Sequence, residues 1–544
     1  MYQSLQKVVG RADTLNMYNQ YTGDPGYLPK DIARYAAVTP ASVQRAVRAH
    51  LRNDARVAVF AVRGAKKLDP EPAAVALVRT RATESINADE AWRRKPPPAG
   101  PAPVPTLPAP RSFKLANGLT VLHLQRSALP IVTAQLVVNA GLAANDPALP
   151  GAAAFAAGML EEGTTTKSAV QIAQEIEQLG AGYAAQTRRD ATVLRVDALA
   201  RNFPAALGLV ADIAQHPAFP AEEIERQRKA HLSEIVEARE DAGTLAEVAF
   251  SRALYGPDHP YGRSNLGTEE SMQRIGEADL REFWQRWFRP DNAALVVVGA
   301  IEPAALRSLA ERLWGTWTTA QPAAATLDTP AATTAARVIV VDKPGAPQAE
   351  LRIGRIGTVR TTPDFPALQV LNEAIGGGFT SRLNLDLREE KGYTYGIGSR
   401  FEYGRRPGPF VVRTAVKSDV AVPAIREILV QLKRAAGAPL TVEELQRARG
   451  SLTQSLPAMF ETNSATGSSF GDLFAYDLPL DYFRRLPPQL KQVRADDLSP
   501  LGRRYFDPAS MVVIVVGDRT SLQPALEALD LGPIEVWPIA GRLF

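Results

Sequence analysis

The chain has 544 residues, 45% of them hydrophobic and 22% charged, a composition ordinary for globular proteins at a length that calls for several domains. Its 62 basic and 58 acidic residues leave a net charge of +4. The charges are spread along the chain, which argues against a nucleic-acid surface, and no stretch reaches the ~20 apolar residues of a membrane-spanning helix. Cysteine is absent, so disulfides and thiolate metal sites are excluded, and the five histidines (His50, His123, His216, His231, His259) offer few imidazole ligands. The first residues, MYQSLQK, contain no apolar signal core. The expected location is periplasmic if the chain is part of a longer exported precursor, and cytoplasmic otherwise.

The first element, AVTPASVQRAVRAHLRNDARVAVFAV from Ala37, reads as an N-cap-like residue, a short amphipathic helix, an Asn53-Asp54 turn and a strand over 57–62. The pattern returns in IGEADLREFWQRWFRPDNAALVVVGA from Ile275, with turn Pro290-Asp291-Asn292 and a strand over 294–298. It returns again in VRADDLSPLGRRYFDPASMVVIVVGD from Val493, with turn Asp507-Pro508 and a strand over 512–516. Three matches in register mark internal repetition. Two longer stretches, from Thr192 and Phe410, repeat in the same way as strand, helix, proline-containing loop and acidic-capped helix.

The repeats divide the chain. Residues 1–65 read as the tail of an upstream unit, and 66–110 as a charged, then proline-rich linker ending KPPPAGPAPVPTLPAP, semi-rigid and contributing nothing to a core. Two whole half-units follow, 111–317 and 337–544, joined by the Ala/Thr/Pro-rich 318–336. The expected fold is α+β: each half an antiparallel sheet backed by helices on one face, the halves related by a pseudo-twofold.

In the first half, strands over 118–127 and 130–141 precede a helix over 151–160, the turn Gly163-Thr164 and a second helix ending at Leu179-Gly180. This order, with GTTTKS, DHPYGRSNLGT (258–268) and LREEKGYTYG (387–396), resembles the pitrilysin/insulinase family of metallopeptidases. The resemblance covers 111–544 as two half-units forming a clamshell, and 1–65 in part. It implies a zinc motif H-x-x-E-H on the helix at 151–160, whose imidazoles bind the metal while the Glu handles the proton of the zinc-bound water. Here those positions read Ala154-Phe155-Ala156-Ala157-Gly158. The resemblance also implies a Glu ligand, which falls on Glu234, and a supporting Glu whose position holds Gln227. One ligand position out of three retains a donor and the general base is missing, so this chain is expected to bind no zinc itself.

In the second half, Gly376-Gly377-Gly378-Phe379 reads as a flexible loop, Thr380 or Ser381 as the cap of a helix over 382–390, and 393–403 as a strand. No Gly-Lys-Ser/Thr follows the glycines, which argues against a phosphate cradle, and a turn or a substrate-contacting loop remains. The resemblance implies an Arg and a Tyr seven positions apart that face the zinc across the chamber; Arg388 and Tyr395 match. A phenol donates to a carbonyl oxygen gaining charge, and a guanidinium holds a neighbouring carbonyl. Considered without the family, Arg388 is a surface ion-pair partner of Asp386, Glu389 or Glu390, and Tyr395 an ordinary strand aromatic.

His231 and Glu234 share a helix face, which reads either as a two-point metal site or, preferably, as a solvated face; His259 reads as a loop hydrogen-bonder. The function expected is the non-catalytic portion of a zinc peptidase, lining a peptide chamber and giving Arg388 and Tyr395 to a zinc-bearing unit. That unit is either a separate subunit or the upstream part of the same polypeptide. The alternatives are a structural or peptide-binding relative with no part in hydrolysis, and an autonomous peptidase built around His231 and Glu234. The partners expected are the zinc-bearing unit and peptides, without nucleic acid or membrane.

Overall fold

The computed structural model describes residues 2–60, 62, 64, 103–318, 336–539 and 543. Most of the expected linkers at 66–110 and 318–336 lies outside the described residues. The chain divides into two compact units, Lys7–Ala102 and the remainder.

The smaller unit holds three helices: α1 (Val8–Thr22), α2 (Leu28–Ala36) and α3 (Pro40–His50). Tyr18 is its buried residue, donating from its hydroxyl to Asp31 at 3.0 Å and packing on Tyr27. Thr39 caps α3 in a reciprocal capping box with Ser42. The strand expected over 57–62 is absent among the described residues: after a 3-10 turn at Asn53–Ala55, Val57–Phe60 form no ladder. A strand is defined by its neighbours, and β-branched residues supply none by themselves.

The larger unit contains two halves built on one plan. The first begins with β1 (Arg111–Lys114) and runs β2 (Thr120–Gln125), β3 (Ile131–Val138), α4 (Ala152–Met159), α5 (Ala169–Gln178), β4 (Gly182–Thr187) and β5 (Thr192–Leu199). Then come α6 (Phe203–Gln215), α7 (Ala221–Glu240), α8 (Ala242–Tyr255), α9 (Glu269–Arg274), α10 (Glu277–Trp287), β6 (Ala293–Gly299) and α11 (Pro303–Trp314). The second half repeats this order from β2 onward: β7 (Arg337–Asp342), β8 (Gln348–Ile356), α12 (Phe365–Asn372), α13 (Arg382–Asn384), β9 (Ile397–Phe401) and β10 (Pro409–Lys417). It continues with α14 (Ala421–Gly437), α15 (Val442–Ser455), α16 (Asn463–Ala475), α17 (Tyr482–Gln492), α18 (Ala495–Tyr505), β11 (Val512–Gly517), α19 (Arg519–Glu527) and a last strand β12 (Ile534–Trp537).

The sheets correspond strand for strand, β1-β2-β6-β3-β5-β4 and β12-β7-β11-β8-β10-β9. They are mixed rather than purely antiparallel: β6 runs parallel to β2, and β7 runs parallel to both β11 and β12. Helices also cover more than one face. β3 and β6 are buried along their whole length, which requires cover on both sides. The second cover comes from the other half. Helix α16 lies on β3 and β6, with Gly467 and Gly471 admitting Gln135 and Val137 of β3 at close range. Reciprocally, α8 lies on β8 and β11, with the ring of Phe250 against Gly354. Each hydrophobic core therefore contains strands from both halves. The end of the proline-rich segment also differs from expectation, since Leu107 is 3% exposed and belongs to the second core. No described helix is long and apolar enough to cross a membrane.

Candidate functional site

Helix α4 starts at Gly151, whose φ of 90° suits glycine and where a Cβ would strike Met272 and the Leu266 carbonyl. Asn145 accepts from the Ala153 amide at 2.7 Å, and the helix then packs its small residues against β4 and α10. Of the zinc-motif positions, Ala157 is buried, Ala154 half-buried and Gly158 exposed, with open space where its Cβ would stand. Glu234, on α7, is 58% exposed and 3.8 Å from His231 Nδ1. His231 is not on a solvated face: its ring packs on Phe155 of α4 and its Nε2 lies 3.0 Å from the Leu266 carbonyl oxygen. Nε2 must carry a proton to make that bond, which leaves the ring's lone pair on Nδ1, on the side of Glu234. Gln227 and Arg226 both donate to the buried carboxylate of Glu162, just past α4. These donors do not fit zinc, and among the described residues no group of three or more His, Asp or Glu is placed to hold a metal ion. Burial, with Glu162 beside it, raises the pKa of Glu161, while Tyr183 on β4 keeps a buried hydroxyl with no partner.

The second half brings two of the expected residues, Phe379 and Arg388, together. The glycines are not a flexible loop: Glu373–Gly377 continue α12 as a π-helical turn, and Gly376 is buried where a Cβ would lie 2.4 Å from Ser399 Oγ. At Gly377, which is exposed, and Gly378 a Cβ would meet the side-chain ends of Asn372 and Glu373 at 2.8 and 2.7 Å. At Gly376, close packing excludes a side chain. Phe379 follows, 67% exposed, and the Arg388 guanidinium lies 4.9 Å from its ring centroid. Ser381 caps α13, accepting from the Asn384 amide, and α13 runs on in π geometry over Leu385–Glu390. The bidentate pair Arg382–Glu444, at 2.7 Å on both arms, anchors that helix. Gly392 at φ 65° ends it.

Tyr395 precedes the strand rather than lying in it, since β9 begins at Ile397. Its neighbour Thr394 is buried, with Oγ1 2.8 Å from the Ala415 carbonyl oxygen on β10. Thr394 is thus pinned inward while Tyr395 projects, 93% exposed. Arg388 also pairs with Glu389 at 3.4 Å.

One polar cluster was not foreseen from sequence. Arg189 and Asp190, in the β4–β5 turn, reach the second half. Arg189 pairs with Glu402 at 2.9 Å and stacks on Tyr261; Asp190 accepts from the Tyr261 hydroxyl and from the Arg405 amide. Burial pushes the Glu402 carboxyl up, but Arg189 and Arg400 outweigh it and hold its pKa below the usual value. The phrase DHPYGR supplies Tyr261 to this seam. His259 serves the same loop, accepting from the Tyr261 amide at 3.0 Å and stacking on Tyr255. The only signal in the sequence was that phrase itself.

Comparison with known proteins agrees with this architecture. Two family models match in succession: the insulinase (peptidase family M16) model over residues 120–269 and the peptidase M16 inactive domain model over 274–452. The chain belongs to the M16, or pitrilysin/insulinase, family. It is 27% identical over 443 residues to an uncharacterized zinc protease of Mycobacterium tuberculosis, covering 80% of this chain and 99% of that one. A similarly named protein of Rickettsia bellii is 26% identical over 408 residues, covering 74% and 96%. Among solved structures, a peptidase M16 inactive domain from Pseudomonas fluorescens superposes with TM-score 0.70 at 26% identity, over 75% of this chain and 98% of that one. The periplasmic protease PqqL of Escherichia coli shares the fold, with TM-score 0.65 at 17% identity, over 78% of this chain and 50% of PqqL.

Proposed function

We propose that this chain is the non-catalytic portion of an M16 zinc peptidase: it lines the peptide chamber and gives Arg388 and Tyr395 to a zinc-bearing unit. The observation that carries this reading is the contrast in what the two halves keep. The first half has methyl groups and a hydrogen at three zinc-motif positions, while the second keeps a projecting phenol and a braced guanidinium seven positions apart. In this role Tyr395 donates its hydroxyl proton in a hydrogen bond to the peptide carbonyl oxygen that gains negative charge, and Arg388 holds an adjacent carbonyl. Phe379 supplies apolar surface beside them for a substrate side chain. The glycines before it act by fixing the backbone from which Phe379 projects.

The test begins with the purified chain and a quenched peptide library, with added Zn²⁺ and a chelator control. The expected result is no turnover. Chelator-sensitive cleavage by the chain alone would reject the reading. The chain is then assayed with a zinc-bearing M16 unit, where Tyr395→Phe should lower turnover far more than peptide binding. Equal activity of mutant and wild type would leave a peptide-binding or structural relative as the function.

A further inference from the structure

The smaller unit carries one copy of a motif whose other two copies are complete. In each copy the helix cap stands fourteen residues ahead of a 3-10 turn: Thr39 before Asn53, Gly276 before Pro290, Arg494 before Pro508. Each capped helix is the third of three, α1-α2-α3, α8-α9-α10 and α16-α17-α18. In the complete copies the chain leaves the turn as β6 or β11. Each of these strands sits between a parallel neighbour (β2 or β7) and an antiparallel one (β3 or β8), and each is buried throughout. In the first copy the turn is followed by Val57-Ala58-Val59-Phe60, which form no strand, and Val57, Val59 and Phe60 are 90%, 89% and 84% exposed.

We propose that Val57–Phe60 belongs to a central sheet strand of another M16 half-unit, one whose own sheet ends before its last cap–helix–turn–strand. The run is apolar at consecutive positions, as a strand covered on both faces must be. Neither sheet of this chain has the position open, because β6 and β11 fill it, and a second copy of the chain would offer the same two filled sheets. The partner is therefore a half-unit with a vacant central position. Helix α1 stands where α8 and α16 stand, the two helices that cross to the sheet of the neighbouring half, and it exposes Leu15 and Met17. It would lie on the partner's second sheet. This inference rests on the proposed function in taking the zinc-bearing unit as that partner.

The experiment mixes the full chain with a zinc-motif-bearing M16 unit ended just before its own last cap–helix–turn–strand. Sedimentation reads the complex, and amide hydrogen exchange reads residues 57–62. The expected result is a one-to-one complex in which those amides exchange at least about 100-fold more slowly. Val59→Pro, which removes a ladder donor, and Val59→Asp, which keeps it but buries a charge, should each weaken the complex at least about tenfold. Both changes lie in an exposed, unpaired segment, so the variants fold. No complex, or a complex without slowed exchange at 57–62, would overturn the proposal, as would self-association of the full chain that slows the same amides. Tyr395→Phe separates the two readings: it should leave the complex and its exchange pattern unchanged while lowering turnover.

Discussion

Helix α4 and its counterpart α12 hold the same place in two halves of identical element order, yet they end differently. α4 is an alanine-rich plug, packed against β4 and α10, with Ala154, Ala157 and Gly158 at the positions that the family resemblance assigns to the zinc motif. α12 runs into a π-helical turn that buries Gly376, and beyond it Phe379 and Tyr395 project outward. The place in the fold is a packing platform in both halves.

The comparison makes graded predictions. The largest effect belongs to the platform: Phe155→Ala, at a position 3% exposed and packed on His231, should cost about 4 kcal/mol, seen as a lowered denaturation midpoint. Less than about 1 kcal/mol would mean that α4 is not needed as a plug. Next is the seam between the halves, where Glu402→Gln should cost about 3 kcal/mol at neutral pH by leaving the half-buried Arg189 without its charged partner. Because the Glu402 pKa is depressed, this stabilisation is complete above the unfolded value near ~4.3 and is lost as pH falls through the lower folded value. Wild type and mutant stabilities should therefore converge in acid, and a difference independent of pH would contradict the ion-pair account.

The projecting group comes third. Tyr395→Phe should reduce turnover of the reconstituted enzyme about 100-fold. It should shift thermal stability of the chain by less than about 0.5 kcal/mol, since the side chain is 93% exposed. A large loss of stability would make Tyr395 part of the platform instead. The smallest effect tests the vacated motif: Gly158→Ala meets open space in a helix and should stabilise by about 0.7 kcal/mol, measured by thermal denaturation.

The sequence alone determined the two-half plan, through hydrophobic runs and turns repeated in register. It also determined that Ala154, Ala157 and Gly158 carry no side-chain donor atoms, since no fold can supply them. The proposed pairing of Arg388 with Tyr395 rests on the seven-residue spacing that the family resemblance implies. Tertiary structure decided what depends on distant partners. It turned the expected glycine loop into a tight helical end, because Ser399 and Asn372 lie against it. It packed the His231 ring on Phe155 and tied its Nε2–H to the Leu266 carbonyl, where the sequence suggested a solvated face. It joined Arg189 to Glu402 across 213 residues of chain, and it laid α8 and α16 on each other's sheets. It also left Val57–Phe60 without a ladder, although the run reads as strongly as β11. Local spacing fixes which faces of an element are apolar; only the assembled fold supplies the surface that covers them.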